Sequence, residues 1–290
     1  VRRKFFGTLH NTYQFFALYA NIDGFTYPEA DIELSKRPEI DRWILSELHS
    51  MIKRVDESLG NYEPTKAIRD INDFVIDQLS NWYVRLCRRR FWRGEYSDDK
   101  ISAYQTLYTC LLEVTKLGSV FAPFYLDRLY RDLTANNPNE EADSVHLAHF
   151  PKVNESMIDA DLEKRMWYAR EISSLGLGLR RKAKLKVRQP LSRIMLPVDE
   201  EMKAHIVLVE DLVKSELNVK QVEYLTDTAG FLVKTVKPDF KKLGPKLGSK
   251  IKSLKSALEG LDQESITKLE REGSLTLVLS GDPIELTLED

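Results

Sequence analysis

The residues with the most distinctive chemistry form a basic and aromatic run from Asn81 to Arg93, NWYVRLCRRRFWR. Arginine side chains pair with phosphates, and aromatic rings stack on bases that are not paired. The run therefore indicates contact with a single-stranded part of a nucleic acid. Its members are Arg85, Arg88, Arg89, Arg90 and Arg93, with Trp82, Tyr83, Phe91 and Trp92 between them.

This run closes a predicted helix that begins near Pro64 and ends at Gly94. At about 100° per residue its apolar side chains share one stripe, while Arg85, Arg88 and Trp92 lie on a flank away from that stripe. One helix can then pack into a core and still present a basic edge. The stripe consists of Ile68, Ile71, Val75, Leu79, Trp82 and Leu86.

Two observations favour a purely structural interpretation of the same helix. Asp70, Asp73 and Asp77 precede the arginines, and acidic residues early with basic residues late suit the dipole of any helix. Trp82 lies within the apolar stripe, which indicates a core residue rather than a platform for a base. Both interpretations stay open on spacing alone.

A second basic segment runs from Arg180 to Arg193, RRKAKLKVRQPLSR, with seven positive charges and no acid. It closes a helix predicted from Asp159 to about Lys184, and Pro190 forces Gln189 out of the helical region. Seven positive charges without a nearby acid, beside the polar side chain of Gln189, predict an anion-binding surface. A solvated helix end is the alternative.

The composition is that of a soluble globular protein, with 42% hydrophobic residues, 30% charged residues and a net charge of −2. A polyanionic partner must then be bound by local patches and not by the overall field. Cys87 and Cys110 are isolated, which predicts a reduced cytoplasmic protein without structural disulfides. No apolar run is long enough to cross a membrane. Because the chain starts at Val1 directly in a helical pattern, we expect a segment of a longer protein.

The order of the elements predicts an all-α helical bundle at residues 1–135, a linker at 136–158 and a smaller α+β domain at 159–290. The linker is inferred from a polar stretch with two prolines. The helices predicted in the bundle span residues 1–21, 38–59, 64–94, 97–120 and 123–133. The elements predicted later include one helix at Glu200–Leu217, a strand at Phe231–Val236 and a closing hairpin at residues 275–288.

No arrangement of residues predicts catalysis. The sequence has no G-x-S-x-G, no H-E-x-x-H and no Rossmann glycine pattern, and its five histidines are scattered. His146 and His149 form an H-x-x-H pair, but without a third ligand nearby they do not predict a metal site. The residues themselves describe a binding module without catalytic or metal-binding residues.

Four long strings closely resemble the isoleucyl-tRNA synthetase family of class I aminoacyl-tRNA synthetases. They occur in that family's order, and the resemblance covers essentially the whole chain. The part resembled follows the catalytic core and comprises the helical anticodon-binding domain with the C-terminal extension behind it. The strings are KFFGTLHNTYQFFALYAN at 4–21, LSNWYVRLCRRRFW at 79–92, KVRQPL at 186–191 and KPDFKKLGPKLG at 237–248.

The resemblance implies that the full-length enzyme joins isoleucine to tRNA(Ile) through an isoleucyl-adenylate, with ATP and magnesium. The family's ATP-site signatures, HIGH and KMSKS, are not in these 290 residues, so the segment is expected to be inactive alone and to need no cofactor. The cysteine-rich zinc module of some members is also not found here. Leu86 and Cys87 depart from the family's pattern, and contacts at those two positions are not carried over.

For this segment the resemblance implies binding of tRNA(Ile) by a monomer, without membrane contact. The bundle would splay the anticodon loop, with bases stacked on aromatic rings and phosphates paired with arginines. Arg85, Arg88, Arg89 and Trp92 are the first choices, and residues 180–188 would track the backbone of the anticodon stem. The predicted RNA-binding residues are Lys4, Asn11, Trp82, Arg85, Arg88, Arg89, Arg90, Trp92, Arg180, Arg181, Lys182, Lys184, Lys186, Arg188 and Gln189. On chemistry alone, however, Asn11 is predicted to be an interior amide with satisfied hydrogen bonds and not a residue that contacts a ligand.

Two alternatives stay open. Valyl and leucyl synthetases share the helical bundle, although the string KPDFKKLGPKLG argues against them. The segment can also be a protein-interaction module of a larger synthetase assembly. The dependence of affinity on salt concentration distinguishes RNA binding from protein docking. In a plot of log affinity against log salt concentration, RNA binding falls with a slope of roughly one unit for each phosphate neutralised, and protein docking depends on salt much less.

Overall fold

The computed structural model describes residues 2–27, 29–93, 95–137, 142–225, 236–239, 242–243, 251–279 and 282–287. No helix in these ranges is both long and apolar enough to cross a bilayer. The α-helices are α1 (Gly7–Asp23), α2 (Glu39–Gly60), α3 (Pro64–Asp73), α4 (Arg85–Trp92), α5 (Asp98–Gly118), α6 (Pro123–Thr134), α7 (Ala160–Lys182), α8 (Glu200–Leu208), α9 (Glu210–Leu217), α10 (Ile251–Glu259) and α11 (Gln263–Glu272). The strands are β1 (Leu191–Pro197), β2 (Val219–Leu225), β3 (Ser274–Leu279) and β4 (Asp282–Thr287).

The chain divides into two compact units. Residues 1–194 and 200–222 form the first unit, and residues 195–199 and 223–290 form the second. The first unit is a helical bundle and the second is a smaller α+β unit, so the predicted fold class is confirmed. The division itself differs from the predicted one, which had a linker at 136–158.

Residues 142–158 pack onto the helical unit instead of joining two domains. Val145 is buried, and its main-chain N–H donates to Asp127 Oδ1 at 3.1 Å. At the other end of the stretch, the N–H of Asp159 donates to Ser46 Oγ at 2.8 Å. Hydrogen bonds of this kind hold a polar stretch that composition alone had assigned to an inter-domain connection.

Pro64 opens a continuous helix, called the central helix below, that comprises α3, a π-helical segment at Phe74–Val84 and α4. A proline suits the first turn of a helix because that N–H has no intrahelical partner. Phe74 and Arg85 keep right-handed helical dihedrals, so the three parts join without a break. The helix predicted from Pro64 is confirmed as far as Trp92, and its predicted end at Gly94 lies outside the described residues.

The central helix is buried on more than the predicted stripe. Ile71, Val75 and Leu79 of that stripe are fully buried, as expected. Phe74 and Tyr83 are buried as well, because the π-helical segment packs against both α1 and α2. The basic end of the helix is therefore fixed by a core on several sides.

β1 and β2 form a parallel pair connected by α8 and α9. Leu191 N donates to Asn218 O at 3.1 Å and Val198 N donates to Leu225 O at 3.3 Å, so the hydrogen bonds advance along both strands in the same direction. The single helix predicted between these strands is in fact two helices. Val209 leaves the helical region, with φ −118° and ψ 14°, and buries its side chain.

The second unit contains α10, α11 and an antiparallel hairpin of β3 and β4. The hairpin pairs Ser274 with Thr287 at its open end, which confirms the predicted hairpin. The strand predicted at Phe231–Val236 lies outside the described residues, apart from Val236. Among the described residues of the unit, Leu243, Leu254, Leu258 and Leu286 form one buried cluster.

Candidate nucleic-acid interface

An open groove in the helical unit brings the two predicted basic segments together. One wall is formed by the π-helical segment and the start of α4, and the other by the C-terminal half of α7. The groove has a volume of about 730 Å³, within the range of small-molecule ligand pockets. Its lining residues are Asp77, Asn81, Trp82, Arg85, Arg170, Glu171, Ser173, Ser174, Leu177 and Arg181.

Arg85 is held in place at the groove by three contacts. Its Nε donates to Asn81 O at 2.9 Å, its Nη1 pairs with Glu216 Oε2 at 2.6 Å, and its guanidinium carbon lies 5.1 Å from the centroid of the Trp82 ring. The side chain of Arg85 is 43% exposed, whereas that of Glu216 is 11% exposed. Part of the guanidinium therefore stays open to solvent, while an acid of α9 balances its charge.

Trp82 forms part of the groove wall but is not an open platform for a base. It is only 4% exposed, and the guanidinium of Arg85 covers its ring. Its Nε1 has no hydrogen-bond partner among the residues that the structure describes. The interpretation of Trp82 as a core residue is confirmed, and base stacking on its face does not fit this geometry.

The exposed end of α4 carries cations without an internal partner. Arg88 and Arg89 are exposed, and neither side chain forms a hydrogen bond or an ion pair within the described ranges. Trp92 is 57% exposed, and the guanidinium carbon of Arg93 lies 5.8 Å from its ring centroid. Free guanidinium groups beside an open ring can pair with phosphates and stack on a base. These residues do not line the groove.

Arg90 faces the core and has a structural role. Its guanidinium donates to both carboxylate oxygens of Asp41, at 2.6 and 2.8 Å, and it pairs with Asp99 at 3.0 Å. Asp41 is fully buried and also accepts from Tyr83 Oη at 2.8 Å and Ser102 Oγ at 2.6 Å. Burial lowers the pKa of Arg90, but the hydrogen bonds and charge of Asp41 raise it above the ordinary value. The prediction that Arg90 binds RNA is corrected accordingly.

Arg180 is also an internal residue, since it is only 4% exposed. Its guanidinium donates to the main-chain oxygens of Lys186 at 3.2 Å, Gln189 at 3.0 Å, Leu217 at 2.7 Å and Asn218 at 3.1 Å. These four bonds tie the chain after α7 to the C-terminal end of α9. The prediction that Arg180 binds RNA is corrected, because the main chain takes up its guanidinium.

The remaining predicted RNA-binding residues of the second basic segment are exposed. After α7 the chain turns at Lys184, whose φ of +56° is left-handed, and Leu185 N donates to Arg180 O at 2.8 Å. The side-chain amide of Asn218 donates to Val187 O at 2.9 Å. Residues 183–190 are called the basic loop below. The predicted RNA-binding residues exposed here are Arg181, Lys182, Lys184, Lys186, Arg188 and Gln189.

Lys4 and Asn11 are exposed, and neither lines the groove. The expectation of an interior amide at Asn11 is wrong. The core-facing side of α1 carries its neighbours Leu9 and Thr12, and the helical phase therefore turns Asn11 to solvent.

Sequence reasoning missed Ser173 and Glu216 at this site. Ser173 is 1% exposed, lines the groove and has an Oγ without a partner among the described residues. Ser173, Leu177 and Arg181 follow one another at intervals of four residues. Projecting the face of Arg181 back along α7 would have found Ser173, because residues four apart share a helix face. Nothing local to the basic segments indicates Glu216.

A family model described as the anticodon-binding domain of tRNA ligase matches residues 41–195, more than half of the chain. The chain belongs to this family. The matched residues include both walls of the groove, the exposed end of α4 and the basic loop.

Curated relatives extend the similarity to nearly the whole chain. Isoleucine–tRNA ligase of Bacteroides thetaiotaomicron is 58% identical over 282 residues, which are 97% of this chain and 24% of the relative. The proteins of the same name from Porphyromonas gingivalis and Clostridium novyi are 55% identical over 291 residues and 39% identical over 290 residues. They align with 100% and 99% of this chain, and with 25% and 27% of their own lengths. The chain spans about a quarter of these relatives, and the resemblance stated from the sequence is confirmed.

Proposed function

We propose that this chain is the tRNA-selecting part of an isoleucine–tRNA ligase and that it binds the anticodon region of tRNA(Ile). The observation that carries the proposal is that Arg85 and Arg181, from two separate basic segments, line one groove within an anticodon-binding domain. The shared name of relatives that are 39–58% identical supports isoleucine over valine or leucine.

In this proposal the groove and the surfaces beside it have different tasks. Arg88, Arg89 and the exposed side chains of the basic loop neutralise phosphates, because no acid in the described ranges occupies them. Trp92 offers an exposed ring on which an unpaired base stacks. Arg90 and Arg180 support these surfaces from within.

The longer protein that this proposal describes joins isoleucine to tRNA(Ile) with ATP and magnesium. The sequence of this chain carries neither HIGH nor KMSKS. The chain therefore contributes tRNA selection, and the adenylate chemistry belongs to residues outside it.

The proposal is tested by measuring binding of the 290-residue chain to tRNA(Ile) and tRNA(Val) at several salt concentrations. We expect tighter binding of tRNA(Ile) and a steep loss of affinity with salt. The double variant Arg88→Ala/Arg89→Ala should reduce the log–log salt slope by about two units, because each lost phosphate contact removes roughly one unit.

The matched control is Lys66→Ala/Arg69→Ala, which removes two exposed cations from the same helix, roughly 30 Å away along its axis. This control should bind like the wild type. Equal affinity for both tRNAs together with an unchanged slope in the Arg88/Arg89 variant would contradict the proposal. Docking to a protein partner would instead show little dependence on salt.

A further inference from the structure

Two buried hydrogen-bonding groups without a partner belong to opposite walls of the groove. Trp82 Nε1 and Ser173 Oγ form no hydrogen bond with any described residue, although Trp82 is 4% and Ser173 1% exposed. Trp82 belongs to the central helix and Ser173 to α7. A buried polar atom left unpaired is unfavourable. A ligand that supplies hydrogen-bonding atoms between these walls would remove that unfavourable feature of the free protein.

The charges around the groove cancel, which argues against a phosphate as the ligand. Arg85 pairs with Glu216 at 2.6 Å and Arg170 pairs with Glu171 at 3.6 Å. A phosphate subsite needs an excess of positive charge, and the groove has none. The charged residues are Arg85, Arg170 and Arg181 against Asp77, Glu171 and Glu216.

The uncharged polar groups of the groove suit the edge of a nucleobase. The indole N–H of Trp82 only donates, the hydroxyl of Ser173 donates and accepts, and the amide of Asn81 offers both functions. A base edge presents carbonyl or ring-nitrogen acceptors beside N–H donors, and proteins read unpaired bases through such edges.

The groove is open, but the two unpaired atoms are covered in the free protein and must be uncovered before they can contact a base. Neither Trp82 Nε1 nor Ser173 Oγ is accessible to solvent, and the Arg85 guanidinium lies over the Trp82 ring. The side chain of Arg85 is 43% exposed, so it can move outward without crossing the core. A guanidinium plane displaced in this way is available to stack on the incoming base.

We propose that this groove takes one unpaired nucleobase of the bound RNA, with Trp82 Nε1 and Ser173 Oγ donating hydrogen bonds to its edge. The inference rests on the proposed function and deepens it. It gives Trp82 a hydrogen-bonding role in place of the stacking role predicted from the sequence, and it adds Ser173 as a residue that determines base preference.

The test is a double-mutant cycle between the protein and the RNA. Wild type and Ser173→Ala are titrated with tRNA(Ile) transcripts in which one anticodon-loop nucleotide at a time lacks its base. Ser173→Ala should weaken binding of the intact transcript about tenfold, and this effect should vanish for one abasic position alone. Trp82→Phe, which keeps an aromatic ring but lacks the indole N–H, should show the same coupling at the same position.

The matched control is Thr12→Val, which removes another buried hydroxyl without a partner among the described residues, from outside the groove. It should bind every transcript like the wild type. Ser173→Ala should be at least as stable as wild type, because it removes a buried hydroxyl that the protein leaves unpaired. A lower midpoint of urea unfolding would assign the hydroxyl a structural role and overturn the inference.

The other outcomes separate the two proposals. If Ser173→Ala weakens all abasic transcripts equally, or weakens none, no base is read in the groove, and RNA binding by the rest of the surface still stands. If the wild type binds no transcript at all, the proposed function itself fails and the inference fails with it.

Discussion

Gly176 of α7 lies so close to Leu217 of α9 that a methyl group on its α-carbon would be 2.6 Å from Leu217 Cδ2. Leu217 is only 2% exposed, so it has little room to move. We therefore expect Gly176→Ala to lower the free energy of unfolding by about 1–3 kcal/mol. Urea unfolding of the purified variant measures this difference.

Gly178, two residues later on the same helix, is the matched control. A methyl group there meets nothing within 4 Å, and alanine is favoured over glycine within a helix by about 0.5–1 kcal/mol. Gly178→Ala should therefore raise the free energy of unfolding. Two variants of equal stability would mean that α7 and α9 are not packed as described.

The bidentate pair of Arg90 and Asp41 should dominate the stability of the helical unit. Arg90→Ala leaves a fully buried carboxylate without its cation, which costs about 3–5 kcal/mol in comparable pairs. Arg89→Ala, at the adjacent exposed position, should change the free energy of unfolding by less than about 0.5 kcal/mol. Thermal unfolding of the two variants tests this contrast, and similar losses for both would refute the assigned roles.

Arg180 should control the order of the basic loop. Arg180→Met removes one donor from each of four main-chain oxygens. Lys186 O and Asn218 O still accept from Gln189 N and Leu191 N, but Gln189 O and Leu217 O lose the guanidinium, so we expect a loss of about 3 kcal/mol in unfolding free energy. Hydrogen exchange should accelerate for the amides of residues 185–189 and of Leu191. Arg181→Met, at the exposed neighbouring position, should leave both quantities unchanged. Normal exchange protection in Arg180→Met would show that other contacts hold the loop.

Glu47 should give the helical unit a stability that depends on pH near neutrality. Its carboxylate accepts from Trp43 Nε1 at 3.2 Å and Gln78 Nε2 at 2.8 Å. The pKa of Glu47 is raised to about 7, mainly by burial and secondly by the negative charge of Glu163. The unfolded chain releases this proton near pH 4.5 and the folded chain only near pH 7, so the contribution to stability falls as pH rises through this window.

Glu47→Gln removes that dependence. The variant should match the wild type below about pH 4.5 and exceed its unfolding free energy by roughly 3 kcal/mol above pH 7. Urea unfolding across this range gives the difference curve. In a Glu163→Gln background the midpoint of the curve should move to lower pH, because one cause of the raised pKa is gone. A flat difference would show that the buried carboxyl titrates normally.

The helices of the bundle followed from sequence because helical periodicity is local. Ile71, Val75 and Leu79 marked the buried face of the central helix, and Pro64 marked its start. The break at Val209 had no such signal, because the departure from helix is accompanied by burial of an apolar side chain that also suits a continuous helix.

The interface was harder to predict than the fold, because a run of arginines does not show which members face inward. The partner of Arg90 is Asp41, 49 residues earlier, and its identity depends on how α2 packs. The partners of Arg180 are main-chain oxygens, which every residue carries. Ser173 has no distinctive neighbours in sequence, and only the tertiary structure shows its unpaired hydroxyl.

The buried guanidinium of Arg180 donates four hydrogen bonds, and all four acceptors are main-chain oxygens. Because they are main-chain carbonyls, the bonds that hold the loop at Lys186 and Gln189 do not depend on the side chains at these two positions. Substitutions at Lys186 or Arg188 can therefore change the affinity for an anionic partner without changing the course of the chain. One buried arginine thus lets binding strength evolve separately from foldability.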